Sequence, residues 1–389
     1  MRLGDAKRLI VKIGSALLVD QTSGAIRSGW LKALAADVAD LRKGGVEVAI
    51  VTSGSIAVGR RHLGLPDGPL PLEQKQAAAA TGQIQLAHAY QTALAEHGIT
   101  VAQILLTLED TEERRRHLNG RATMTTLLSL GAVPVINEND TVATSEIRFG
   151  DNDRLAARVA QMISADTLVL LSDIDGLYTA DPRKDPNAKH LPVVADLTPD
   201  ILNMAGEAPP GYSSGGMVTK LEAGRIAVAA GCRMAIARGT EDHAIAALAN
   251  GARCTWFLPS SEPLTARKRW IAGRLKAEGA VTVDSGAERA LGQGASLLPA
   301  GVVEVAGEFE RGDLLLVQSR DGRVLARGLA AYGSEDAKRI KGHKSGEIEA
   351  LLGYRGRDEM IHRDDLVPSP SAPDGLVLPG ALPEALRAR

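Results

Sequence analysis

Cysteine is almost missing from this chain: of 389 residues, only Cys232 and Cys254 carry a thiol. Two thiols cannot frame a disulfide-stapled fold of this length, and they lack the close spacing of a metal-ligand pair. That usage points to a reducing, cytoplasmic setting with both thiols as structural groups. Aromatic residues are as scarce, at 3 Phe, 3 Trp and 5 Tyr, which weighs against an aromatic-rich sandwich or a surface that stacks bases. Neither sign of charge dominates, with 45 Lys and Arg against 47 Asp and Glu. The chain as a whole therefore carries no electrostatic footprint for nucleic acid or anionic membrane. Long apolar runs are lacking too. The longest stretch free of charged residues, Gln76 to Ala95, is broken by Gln83, Gln85, His88 and Gln91 and reads as an amphipathic helix. The first residues, Met-Arg-Leu-Gly-Asp-Ala-Lys-Arg, have no apolar segment of the kind that opens a secretory signal. Neither the Gly-x-Gly-x-x-Gly fingerprint nor the Walker loop occurs.

What is present is an alternation. Through about residue 260, short β-rich apolar runs alternate with longer Ala- and Leu-rich stretches of helical period, the pattern of an α/β domain with a largely parallel sheet. Strands are expected at Leu9 to Ile13, Val46 to Val51, Ile99 to Ile104, Val133 to Ile136, Thr167 to Leu171 and Met234 to Ala237. Helices are expected at Leu31 to Leu41, Gln76 to Glu96, Arg154 to Gln161 and Thr219 to Ala230. Beyond Ala266 a basic stretch leads into short runs with glycine-rich turns: Ala280 to Val283, Gly301 to Val305, Asp313 to Gln318 and Arg323 to Leu329. These predict a small β-rich domain. Five prolines fall in the last 22 residues, which predicts a largely disordered tail. The expected division is a catalytic domain over 6–262, a linker over 263–278, a β domain over 279–356 and a tail over 357–389.

Four expected strands, ending at Ile13, Val51, Ile136 and Leu171, pass directly into small, polar or charged residues. In open parallel sheets ligands bind beyond the carboxyl ends of the strands, so these transitions converge on one cleft. The segment Tyr212-Ser-Ser-Gly-Gly-Met-Val-Thr-Lys220 runs into a helical pattern. Its glycines suit close approach of backbone N–H groups to an anion, and Lys220 adds a full charge; small residues also suit an ordinary helix start. Lys12 stands inside the apolar run Ile10-Val-Lys-Ile13. It is either a lysine snorkelling from a strand edge or, with Lys220, half of a clamp for a transferring phosphoryl group. Asp151, Asn152 and Asp153 crowd one helix start, where they either cap the helix or bind ligand.

Together these segments carry a family pattern. Val11-Lys-Ile-Gly-Ser15, Val51-Thr-Ser-Gly-Ser-Ile-Ala57, Ile136-Asn-Glu-Asn-Asp140, Phe149-Gly-Asp-Asn-Asp153, Leu171-Ser-Asp-Ile-Asp-Gly-Leu-Tyr-Thr-Ala-Asp-Pro182 and Ser214-Gly-Gly-Met-Val-Thr-Lys220 resemble the glutamate 5-kinase branch of the amino-acid kinase family. Gly328-Leu-Ala-Ala-Tyr-Gly-Ser-Glu335, Ile340 to Ile348 and Leu351 to Tyr354 resemble an appended PUA domain. The resemblance implies a three-layer α/β/α sandwich with a mostly parallel sheet, followed by a PUA pseudo-barrel. It implies transfer of phosphate from ATP, with Mg²⁺, to the side-chain carboxylate of L-glutamate, giving glutamyl 5-phosphate for proline synthesis.

By motif, the resemblance makes Lys12 and Lys220 stabilisers of the phosphoryl group and Asp153 the organiser of both. Ser53, Asn137, Asp140 and Asn152 would bind glutamate. Lys12, Ser172, Asp173 and the run Ser214, Gly215, Gly216, Met217, Val218, Thr219 and Lys220 would line the ATP site. Ser172 and Ser214 stand where threonine is common, and both keep a hydroxyl. No protein-held metal is expected. Also implied are feedback inhibition by proline, a homo-dimer or homo-tetramer, and hand-over of product to glutamyl phosphate reductase. A different small carboxylate or phosphate is the alternative substrate. RNA binding through the PUA domain is a further alternative, opposed by ten Lys and Arg against eleven Asp and Glu over 279–356 and by only Phe309, Tyr332 and Tyr354 for stacking.

Overall fold

The computed structural model describes residues 3–20, 22–142, 151–205, 216–263, 265, 266, 268, 271 and 277–369. The chain divides into two compact units, Met1–Ala266 and Arg267–Arg389.

In the first unit the strands are β1 (Arg8–Ile13), β2 (Glu47–Val51), β3 (Val101–Leu106), β4 (Val133–Glu138) and β5 (Thr167–Ser172). They continue with a small hairpin, β6 (Leu177–Tyr178) with β7 (His190–Leu191), then β8 (Val193–Val194), β9 (Arg233–Arg238) and β10 (Cys254–Phe257). Eight of them form one sheet in the order β3-β4-β2-β1-β5-β9-β10-β8. From β3 to β9 every neighbour pairs in parallel, and only β10 runs antiparallel to β9. All six expected strands are present, with ends that differ by at most two residues. β6, β7, β8 and β10 were not expected, because runs of two to four residues carry little periodicity.

Side chains of β1 alternate between two apolar layers, as strand geometry requires. Leu9, Val11 and Ile13 enter a core shared with helices Ser28–Lys43 and Leu72–Ala95, through residues such as Leu34, Val38, Leu86 and Tyr90. Ile10 points to the opposite core, built with helices Asp151–Met162 and Met217–Ala229 through Leu155, Val159, Leu221 and Ala227. Helices thus cover both faces of the sheet, the three-layer arrangement expected. Lys12, two residues after Ile10, lies on the second face.

Two glycine features shape the first layer. Gly54 takes φ +110° and turns the chain from β2 into helix Ser55–His62, a conformation that costs glycine little. That helix then meets Leu72–Ala95 backbone to backbone: a Cβ on Gly59 would stand 1.8 Å from the Ala78 carbonyl oxygen, and one on Gly82 would stand 1.9 Å from that of Ser55.

The second unit holds β11 (Gly279–Val283), β12 (Val302–Gly307), β13 (Leu314–Gln318), β14 (Val324–Leu329) and β15 (Leu366–Pro368), in the order β12-β11-β13-β14-β15. Four of these match expected runs. The fifth corrects the expected boundary at 356: Leu366 pairs with Gly328, and Met360, Ile361 and Leu366 are buried in the unit's core. Residues 357–369 are therefore part of the folded unit, held by apolar side chains that the proline-rich sequence around them obscures. Phe309 and Tyr332 belong to the same core, whereas Tyr354 is exposed. Most of the expected linker, and the tail beyond 369, lie outside the described residues.

Candidate active site

Lys12 faces the layer in which helices Asp151–Met162 and Met217–Ala229 pack side by side. Each helix contributes one charged residue in its first turn to meet it. Lys12 Nζ lies 2.6 Å from Asp153 Oδ1, and Lys220 Nζ lies 3.1 Å from Asp153 Oδ2. The Thr219 hydroxyl donates to that second oxygen at 3.2 Å. Asp153 is fully buried, and each lysine side chain retains only 8% of its exposure.

Burial pushes the Asp153 carboxyl upward, but the charges and hydrogen bonds of Lys12 and Lys220 together outweigh it and hold the group below the usual carboxylate range. Burial also lowers the Lys12 ammonium; the Asp153 charge opposes that fall and the Lys220 charge adds to it. Taking three charges out of water is costly, and one carboxylate cannot neutralise two ammonium groups. The trio carries one net positive charge in a desolvated position, an arrangement suited to an incoming anion.

One residue before Asp153, Asn152 belongs to a second cluster. Its Nδ2 donates to the Thr52 carbonyl at 2.6 Å, to Ser53 Oγ at 2.9 Å and to Asn137 Oδ1 at 2.9 Å, sharing two hydrogens among three acceptors. Asn137, on β4, turns its own Nδ2 toward Gln83 Oε1 at 2.8 Å and Ser55 Oγ at 3.4 Å. Ser55 in turn donates to Asp140 Oδ2 at 3.3 Å. Burial raises the Asp140 carboxyl to about 6, against the lowering effect of the Ser55 bond. Ends of β2 and β4, the start of helix Ser55–His62 and helix Leu72–Ala95 thus meet in one polar cluster.

The structure accordingly brings Lys12, Asp153, Thr219 and Lys220 into one group, and Ser53, Asn137, Asp140 and Asn152 into another joined to it through the adjacent Asn152 and Asp153. Ser172 and Asp173 close β5, beside the end of β1, with the Ser172 hydroxyl donating to Asp173 Oδ1 at 3.1 Å. Gly216 caps helix Met217–Ala229, whose first turn holds Met217, Val218 and Thr219. Ser214 and Gly215 lie outside the described residues.

Sequence reasoning missed Thr52, Ser55 and Gln83. Thr52 and Ser55 flank Ser53 in a quoted segment, so the polar density of Thr-Ser-Gly-Ser was the available signal. Gln83 sits in a stretch read only as amphipathic, and its position after Gly82 acquires meaning once the close helix crossing is known.

Among the described residues no group of three His, Cys, Asp or Glu side chains is placed to hold a metal ion. No described helix is long and apolar enough to cross a membrane.

Comparison with known proteins gives the family. Residues 7–238 match the model of the amino acid kinase family, and residues 279–352 match that of the PUA domain. The chain is 67% identical over 365 residues to a glutamate 5-kinase of Paramagnetospirillum magneticum, covering 94% of this chain and 98% of that protein. It is 64% identical to a glutamate 5-kinase of Rhodospirillum rubrum, over 92% of this chain and 96% of the relative. A glutamate 5-kinase of Gluconobacter oxydans is 59% identical over 94% and 97%. The chain belongs to the amino acid kinase family, in its glutamate 5-kinase branch with a C-terminal PUA domain.

Proposed function

We propose that this protein transfers the γ-phosphoryl group of ATP to the side-chain carboxylate of L-glutamate, giving L-glutamyl 5-phosphate and ADP, the opening step of a route to proline. The observation that carries the reading is the buried Lys12–Asp153–Lys220 trio, set against a polar cluster that includes Asp140. In that reaction a carboxylate oxygen forms a bond to the γ-phosphorus, and the bond to the bridging oxygen breaks, leaving the electron pair on ADP.

A glutamate side chain has an unperturbed pKa of about 4.3 and is ionised at neutral pH, so no proton need be removed from the nucleophile. Catalysis then consists of positioning and charge neutralisation. Lys12 and Lys220 stabilise the phosphoryl oxygens, and Asp153 fixes both ammonium groups. Asp140, when ionised, attracts the α-ammonium of glutamate, while Ser53, Asn137 and Asn152 order the same subsite. Ser172, Asp173 and the segment from Ser214 to Lys220 serve the nucleotide.

The donor set fits a magnesium ion carried by the nucleotide. Asp153 is engaged by two ammonium groups and Asp140 by Ser55, so the ion's ligands would come mainly from phosphate oxygens and water, as magnesium prefers. When bound, the ion neutralises phosphate charge. The same family motifs support proline inhibition at or over the glutamate subsite, assembly into a dimer or tetramer, and delivery of the labile acyl phosphate to glutamyl phosphate reductase. Measuring ADP release with glutamate, aspartate, acetylglutamate, carbamate and UMP tests the substrate. Glutamate alone is expected to support turnover, and preference for any other acceptor contradicts the reading.

A further inference from the structure

The polar cluster fixes the orientation of two side-chain amides. The backbone N–H of Glu138 donates to Asn137 Oδ1 at 2.9 Å, and a backbone N–H is a donor only. The oxygen of Asn137 must therefore face it, which sends Nδ2 the other way. Asn152 faces two acceptors that cannot donate, the Thr52 carbonyl and that same Asn137 oxygen, so it must present its nitrogen to them. Its carbonyl oxygen is thereby committed to the remaining direction. Orientation passes along a chain: the Glu138 backbone sets Asn137, and Asn137 sets Asn152.

The far end of this chain is Gln83, whose Oε1 accepts from Asn137 Nδ2 at 2.8 Å in a buried position. The alternative acceptor, Ser55 Oγ, stands at 3.4 Å, the long limit of a hydrogen bond, so Gln83 is the stronger partner. Gln83 reaches Asn137 because Gly82, the residue before it, lets the two helix backbones touch. Gln83 lies outside the segments quoted above for the family resemblance.

We propose that Gln83 is a positioning residue for the glutamate subsite, acting through Asn137 on Asn152. Without an acceptor at this position, the buried Asn137 nitrogen turns toward Ser55, weakens the Ser55–Asp140 bond and releases Asn152. This inference rests on the glutamate-kinase reading for its substrate, but the relay itself does not.

The test uses the full-length protein with Gln83→Met, which keeps length and removes the acceptor, and Gln83→Glu, which keeps an acceptor oxygen. In Gln83→Met the glutamate KM is expected to rise on the order of 10-fold, the effect of stranding one buried donor. The KM for ATP is expected to stay within about 2-fold of wild type. Gln83→Glu is expected to recover part of the loss. An unchanged glutamate KM in Gln83→Met, or equal changes for both substrates, overturns the proposal.

The side-chain NH₂ resonances of Asn137 and Asn152, assigned by single substitution to Asp, give a readout independent of activity. Both are expected to shift in Gln83→Met, and unmoved resonances overturn the relay. Failure of the wild-type protein to turn over glutamate, with the resonances still shifting together, sinks the substrate assignment and leaves the relay standing.

Discussion

Lys12 Nζ stands 2.6 Å from Asp153 Oδ1 inside the fold, on the opposite oxygen from the one that holds Lys220. One carboxylate therefore sets the separation of two cations and sustains the charge of Lys12, which burial and Lys220 both depress. Asp153→Asn keeps the shape and removes the charge. Turnover is expected to fall on the order of 10²-fold or more while ATP binding is retained. Because the carboxylate raises Lys12, its loss lowers that ammonium further, so the alkaline limb of the pH–rate profile should move to lower pH. Rate profiles of wild type and variant check both points, and full activity in Asp153→Asn removes this residue from the mechanism.

Lys220→Ala tests the second cation. The rate is expected to fall on the order of 10²-fold or more, with a smaller change in glutamate KM, since the lost interaction belongs to the transferring phosphoryl group. Steady-state kinetics with both substrates varied give the split. A wild-type rate would contradict the two-lysine account.

Asp140 gives a pH dependence. Its carboxyl is raised from 3.8 to about 6 by burial, and the ionised form is the one that attracts the glutamate ammonium group. In the free enzyme, kcat/KM for glutamate should therefore fall as pH drops through about 6. Stability runs the other way. A carboxyl raised by folding contributes stability that is complete below 3.8 and lost as pH rises through about 6. Asp140→Asn should therefore be more stable than wild type at pH 7, by on the order of 2–3 kcal/mol, with the gap closing toward pH 4. Thermal unfolding across that range measures it, and a less stable variant at neutral pH would refute it.

The helix crossing at Gly59 and Gly82 allows no Cβ on either side. Gly82→Ala must separate the two helices, at a cost of about 3 kcal/mol in stability, and must carry Gln83 and Ser55 away from Asn137. A lower unfolding midpoint together with a raised glutamate KM is the expected pair of results.

β15 places residues 357–369 in the second unit's sheet. Truncation after Gly356 should expose Leu297, Leu315 and Val317, which share a buried core with Met360, Ile361 and Leu366, and should destabilise this unit. Truncation after Ser369, which keeps β15, is the control. Limited proteolysis of the two shortened chains distinguishes them.

Sequence alone revealed the parallel sheet because its strands are buried on both faces and read as unbroken apolar runs, as in Thr167–Leu171. Lys12 stood out for the same reason, a charge inside such a run. Helix Arg114–Ser129 was not legible, since it opens Arg-Arg-Arg-His and lacks an apolar stripe in its first turns. Nor was the role of Gln83, which depends on a backbone contact between two helices that no local pattern encodes. The catalytic trio was legible as residue types in motifs, whereas their shared carboxylate geometry became visible only in three dimensions.

The most direct test of the central claim is acyl phosphate formation, trapped with hydroxylamine, in reactions containing ATP, magnesium and L-glutamate, with wild type beside Lys220→Ala. The account predicts glutamyl hydroxamate from wild type in proportion to ADP released, and a loss on the order of 10²-fold or more in the variant. No hydroxamate from wild type, or equal yields from the two proteins, would contradict it.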